Sequence, residues 1–466
     1  MSAPTIGNLG NCIEDAREAV LDQDRGPSDP LQLNALRGRL LAARAKMPSI
    51  YLEAAFAPYV EKLESLGENG FNEVLLADPS REREAGLMLD IAHGILQRGE
   101  GFEPKPLSAF QEVVADLYDG FLSAEDRRGV LPPDHETLAP MVKFGNPDFG
   151  PYTWPVDATE SFGLRVGVVN IPPANAHHGL LAWAALGHET SGHDILHADD
   201  GLLQEVSSAV RSALAAEPKT KALASYWAER IDETASDVLG ILSMGPAPAI
   251  GLVGYFRGLN AAFNGVAKLR NEGPKSDPHP ADIVRGYLAA ATVGHLEFAD
   301  AKVWAKVIVD ETQHDLTTIR LGGKTVAPDV ARLSAEIVAA TIVTHPMAAL
   351  EHHAFGEIQN WRDEDEDIVE TLRATLTTAN PLPAQLTTGV FAAHLVAAAI
   401  TTAVGTGANI ALLFRRMLDL LKSMHDRNPT FGSLRVRHQG NLSRDRAYIP
   451  YPASPSRDDG GIRAVS

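Results

Sequence analysis

The chain has a single cysteine among its 466 residues, Cys12. No intrachain disulfide can form, and a cysteine-based zinc knuckle is excluded. A metal bound here must be held by histidine and carboxylate. Basic blocks are missing as well. Against 41 Lys and Arg stand 60 Asp and Glu, a formal net charge of -19, which argues against a nucleic-acid backbone or an anionic membrane surface as partner. Basic or neutral substrates fit better. No apolar run is uniform enough to read as a membrane span. The nearest, residues 387–414, is interrupted by His394, Asn409, five threonines and three glycines, and predicts two buried helices broken near "GTG". A basic segment followed by an apolar one is absent from the first twenty residues, so a cytoplasmic location is expected.

What is present is typical of a folded enzyme-sized chain: 45% hydrophobic against 22% charged residues, enough for two or three packed subdomains. Apolar residues recur at three and four spacing over Asn34 to Lys62, Glu82 to Gln97 and Pro106 to Phe121, which predicts amphipathic helices. Pro132, Pro133 and the stretch "KFGNPDFGPYTWP" mark a boundary near residue 135. "FGLRVGVVNIPP" is the best strand, β-branched and stopped by Pro172 and Pro173. A long helix is predicted from about Thr220 to Met244, and helical patterning resumes after "GPKSDPHPAD" to about Met424. The expected organisation is a helical subdomain over 1–135, a metal-binding catalytic subdomain over 136–330, a second helical subdomain over 331–430 and an irregular tail over 431–466. The fold class is mainly α, with a small β element beside the active-site helix.

The densest chemistry lies in "GHETSGHDILHADD", Gly187 to Asp200, which follows the apolar run "GLLAWAAL". A hydrolytic zinc site needs neutral imidazoles, a carboxylate ligand, an open position for water and a nearby carboxylate to take that water's proton. "HETSGH" supplies His188, Glu189 and His193. Five residues span about 140° of an ideal helix, so both histidines can face one ion only if the helix widens. A π-type turn would do this, and Gly192 is the residue best able to absorb it. The third ligand should come from another helix, where "RIDETASD" offers Glu233, with Asp237 four residues on to orient a ligand histidine.

H-E-x-x-G-H followed by E-E-x-x-A-E is the signature of the dipeptidyl peptidase III family of zinc peptidases, and "HETSGH" with "DETASD" resembles it. The resemblance implies a zincin-like metallohydrolase in which His188, His193 and Glu233 bind Zn2+, Glu189 is the general base and Asp237 stands behind a ligand. Asp232 and Asp237 replace glutamates of that pattern, which shortens the outer carboxylates. "DPHPADIVR" places His279 and Arg285 where the family has a histidine and an arginine near its site. The expected activity is hydrolysis of small peptides, with His279, Arg285 or a tyrosine such as Tyr255 as electrophilic partner for the carbonyl oxygen.

Other readings compete. "HDILH" sets His193 and His197 four apart, with Asp194 as a shorter base. A non-catalytic helical protein could keep a structural metal, and an ester or amide that is not a peptide could be the substrate. Glu189 between the ligands favours an enzyme, because a structural site needs no base there. "RDEDED" lacks the spacing and glycine of a calcium loop and reads as a solvated helix start. "THPMAALEHH", with His345, His352 and His353, matches no ligand set, and "GTGAN" lacks the strand and third glycine of a dinucleotide loop.

Overall fold

A computed structural model describes residues 4–122, 130–131, 133–135, 138–378, 380–387 and 389–428. The expected tail lies outside the described residues. The longer helices are α1 (Leu9–Leu21), α2 (Leu33–Ala43), α3 (Ala57–Ala77), α4 (Glu84–Glu100), α5 (Pro104–Leu122), α6 (Leu202–Ala216), α7 (Ile231–Met244), α8 (Pro246–Asn264), α9 (Asp282–Val293), α10 (Ala301–Gln313), α11 (Pro328–Thr344), α12 (Asp363–Thr377), α13 (Ala392–Ala403) and α14 (Ile410–Asp426). The mainly helical expectation holds. No helix among the described residues is long and apolar enough to cross a membrane; the 387–414 segment folds as α13 and the start of α14, parted at "GTG".

Of two small three-stranded sheets among the described residues, the one beside the site consists of β1 (Met141–Phe144), β2 (Tyr152–Trp154) and β3 (Val168–Ile171), with β3 central, β1 parallel to it and β2 antiparallel. Side chains alternate across a strand, and here both faces are covered. Val142, Phe144, Val169 and Ile171 enter a large core that runs from Leu9 to Met424. Met141 and Val168 enter a smaller core built on α2, α3 and α4. That double burial is why "VVNI" reads as an apolar, β-branched run interrupted only by Asn170, whose Nδ2 donates to the Tyr152 and Val168 carbonyls. Pro172 and Pro173 end it.

The large core crosses residues 135 and 330 without interruption: α1 packs on α8, and α5 on α14. Three local expectations need correction. The helix expected over Asn34 to Lys62 is interrupted after α2 by a 3-10 turn at Arg44–Lys46 and by Pro48. The helix expected from Thr220 to Met244 breaks before α7, where Arg230 leaves helical geometry and its guanidinium turns back to the Tyr226 carbonyl. "RDEDED" does start α12, but Asp365 is buried rather than solvated: it caps the Arg362 backbone N–H and faces His394.

Candidate metal centre

Residues Gly187–Asp194 form a π-helix, entered from a 3-10 turn over Leu180–Ala184. The wider turn brings positions five apart onto one face. The His188 and His193 rings stand 4.8 Å apart between centroids and nearly perpendicular, with their Nε2 atoms 3.1 Å from each other. α7 runs alongside and brings Glu233 to the same point, 3.4 Å from His188 Nε2 and 3.6 Å from His193 Nε2.

Small residues allow this approach. A methyl group on Gly192 would overlap the Cβ and Cα of Ser236, and one on Gly240 would sit 2.9 Å from the backbone of Gly187 and His188. Gly192 is therefore required by the packing of the π-turn on α7. Its backbone lies outside the left-handed region, so the conformational freedom expected of it is not what is used.

Each imidazole is held from behind. His188 Nδ1 lies 2.9 Å from Asp237 Oδ1, and His193 Nδ1 lies 2.9 Å from Asp232 Oδ1. Carboxylates only accept, so each Nδ1 donates and each Nε2 faces the centre, where it can ligate a cation once it is deprotonated. Asp237 in turn accepts two 2.7 Å bonds from Arg285, whose guanidinium also lies 3.8 Å from Glu233 and over the Phe256 ring. Arg285 is thus engaged by carboxylates and also lines the cleft.

The electrostatics call for a positive charge at the centre. Burial alone would lower the His188 pKa, but Asp237 and Glu233 raise it to about 10. His193 is also raised: burial and the charge of His188 oppose protonation, and Asp232 and Glu233 overcome them. Glu233 and Asp237 are held well below the usual carboxylate range: burial opposes this, and His188 and Arg285 win. His188, His193 and Glu233 each offer one ligand atom within 4.8 Å of the others. Two imidazole nitrogens with bound Nδ1 atoms and one anionic carboxylate are a donor set that suits a divalent zinc-type cation.

His197 stands apart from this convergence, held 2.8 Å from Asp157 and 3.3 Å from the second oxygen of Asp232. Asp194, the base of the alternative register, is buried, its pKa is pushed up to about 8 chiefly by burial, and it does not line the cleft. His279 reaches the centre from the loop before α9, its Nε2 3.3 Å from Glu233 Oε1 and its Nδ1 3.0 Å from Asp277. Arg230 anchors that loop through the Pro274 carbonyl.

The centre opens into a cleft of about 870 Å³. Glu189 lines it, and so does buried Tyr255, whose pKa burial and the Glu189 charge raise. Along one wall α8 presents Pro248, Leu252, Tyr255, Phe256, Leu259 and Phe263, a stripe at helical spacing whose last member is 68% exposed. β2 also lines the cleft. Sequence reading passed over Thr153 and Asp90 there. Thr153 Oγ1 is 2.8 Å from Glu189 Oε2, and Asp90 binds Lys143, Tyr152 and Trp154. A three-residue strand gives almost no periodic signal, and these partners are distant in sequence.

Compared with known proteins, the chain matches no family model, no curated protein and no solved structure.

Proposed function

We propose that this chain is a zinc-dependent hydrolase and, most specifically, a metallopeptidase acting on small peptides. The observation that carries the reading is the convergence of His188 Nε2, His193 Nε2 and Glu233 beside Glu189 in one cleft. His188, His193 and Glu233 would hold the cation, which would supply Lewis acidity towards water and a substrate carbonyl. Glu189 takes the proton of the attacking water and returns it to the leaving amine. Asp237 and Asp232 keep the imidazoles in the ligating tautomer, and Arg285 holds Asp237 ionised. His279 and Tyr255 both line the cleft and can donate to the developing oxyanion. The α8 stripe supports apolar side chains beside the scissile bond, and the acidic surface disfavours acidic substrates.

Metal analysis and mutagenesis test this. The purified protein is expected to carry about one zinc per chain. The ion should be lost on replacing His188, His193 or Glu233 by alanine and kept in His197→Ala. Glu189→Gln should retain zinc and fold while hydrolysis falls by roughly 10²- to 10⁴-fold. Full zinc occupancy in all three ligand variants would contradict the ligand set. Wild-type turnover in Glu189→Gln would contradict the base, and a zinc-loaded protein inert towards peptides, esters and amides would point to a structural metal.

A further inference from the structure

The edge strand β2 has two faces, and each is tied to something different. Tyr152 and Trp154 point one way, where the Tyr152 hydroxyl and the Trp154 indole N–H donate to Asp90 Oδ2 at 2.7 and 2.8 Å. The other oxygen of Asp90 is 2.6 Å from Lys143 Nζ, and that lysine side chain is only 3% exposed. A buried ion pair with two further donors is costly to distort. It fixes where β2 sits relative to α4 and the sheet.

Thr153 points the other way, as strand alternation requires. Its hydroxyl lies 2.8 Å from Glu189 Oε2 and 3.0 Å from the Glu189 carbonyl oxygen. Its single proton is therefore shared between two acceptors of one residue, which ties the carboxylate to its own backbone. Among the described residues Glu189 Oε1 has no protein donor, and the side chain lines the cleft. The two oxygens are thereby made unequal: Oε2 is bound, and Oε1 is left to accept a proton.

We propose that Thr153 is the positioning residue of Glu189, held in place by the Asp90–Lys143–Tyr152–Trp154 network on the far side of the same strand. This rests on the hydrolase reading for its catalytic meaning, but the positioning itself does not require metal. A carboxylate without this tether can turn its lone pairs away from the water it must deprotonate, and general-base catalysis depends on that geometry.

The test compares Thr153→Val, which keeps the shape and removes the hydroxyl, with Thr153→Ser, which keeps the hydroxyl, in the full chain loaded with zinc. Thr153→Val should retain zinc content, lose kcat by roughly 10- to 100-fold at unchanged KM, and bind acetohydroxamic acid about 10-fold more weakly by calorimetry. That probe must hand its proton to a carboxylate beside the metal. Thr153→Ser should restore both values. Wild-type kcat and hydroxamate affinity in Thr153→Val, or a serine variant as impaired as the valine one, would overturn the proposal. If the Glu189→Gln protein binds the hydroxamate and turns over like wild type, the hydrolase reading is at fault instead. A crystal structure of metal-free Thr153→Val then decides the positioning alone: a displaced Glu189 carboxylate supports it, and an unmoved one overturns it.

Discussion

Each imidazole proposed as a ligand has a carboxylate behind it, but the two carboxylates differ in what removing their charge should do. The Asp237 side chain is fully buried and carries Arg285 as well as His188, whereas Asp232 is 39% exposed and carries His193 and His197. Asp237→Asn should lower zinc affinity roughly 10- to 100-fold and, by leaving a buried guanidinium underpaired, cost about 3–5 kcal/mol of stability. Asp232→Asn should lower zinc affinity with far less loss of stability. Zinc titration and denaturant unfolding of the two variants check this, and equal stability losses would contradict it. The pH dependence follows from His188. Its pKa in the metal-free fold is raised from 6.5 to about 10, so its contribution to stability is whole below pH 6.5 and is lost as pH rises towards 10. Zinc must displace that proton. Metal-free protein should therefore melt at lower temperature as pH climbs through this window, and zinc uptake at pH 7.5 should release protons, measurable by calorimetry in two buffers of different ionisation enthalpy. Uptake without proton release would contradict the protonated resting site. At this scale the proposed ligands, Glu189 and Asp237 are legible in the sequence because short spacing groups them within two separate helices, His188, Glu189 and His193 on the π-turn and Glu233 with Asp237 on α7. Thr153 is not, because its partnership with Glu189 depends on how a sheet edge meets a helix.

The π-turn is the element on which the centre depends. Histidine spacing alone implies a widened helix, and the structure has one. What spacing could not show is why it is stable, since that lies in the crossing of two chain segments at Gly192–Ser236 and Gly187–Gly240. Gly192→Ala must push α7 away from the π-turn, and Glu233 moves with α7. Overpacking of this kind costs about 1–3 kcal/mol. The variant is expected to show both a lower thermal midpoint and loss of zinc, although it alters no ligand. Retention of full zinc affinity would mean that the crossing does not set the ligand geometry. The break before α7 was hidden for a related reason: nothing in the periodicity of "WAERIDE" interrupts the helix, and besides the nearby Tyr226 carbonyl the guanidinium of Arg230 takes its partners, Pro274 and Lys275, from a loop more than forty residues away.

At the scale of the molecule, the large core knits α1 to α8 and α5 to α14 across the punctuation that the Pro- and Gly-rich stretches suggest. Such stretches report local chain direction, while the core is decided by long-range burial that composition does not encode. The cleft is a product of this assembly, with its apolar wall on α8 and its charged centre on the π-turn and α7. Peptides with bulky apolar side chains next to the scissile bond should be cleaved faster, by at least about 10-fold, than acidic ones of the same length, because like charges meeting across a binding surface cost several kcal/mol. A library cleavage assay reads this directly, and a preference for acidic peptides would contradict it. The central claim, that the widened turn exists to hold a divalent cation, is tested most directly by anomalous X-ray diffraction from crystals grown with zinc. The account predicts one peak roughly 2.0–2.2 Å from His188 Nε2, His193 Nε2 and a Glu233 oxygen; an empty centre, or a peak on His197 and its aspartates, would contradict it.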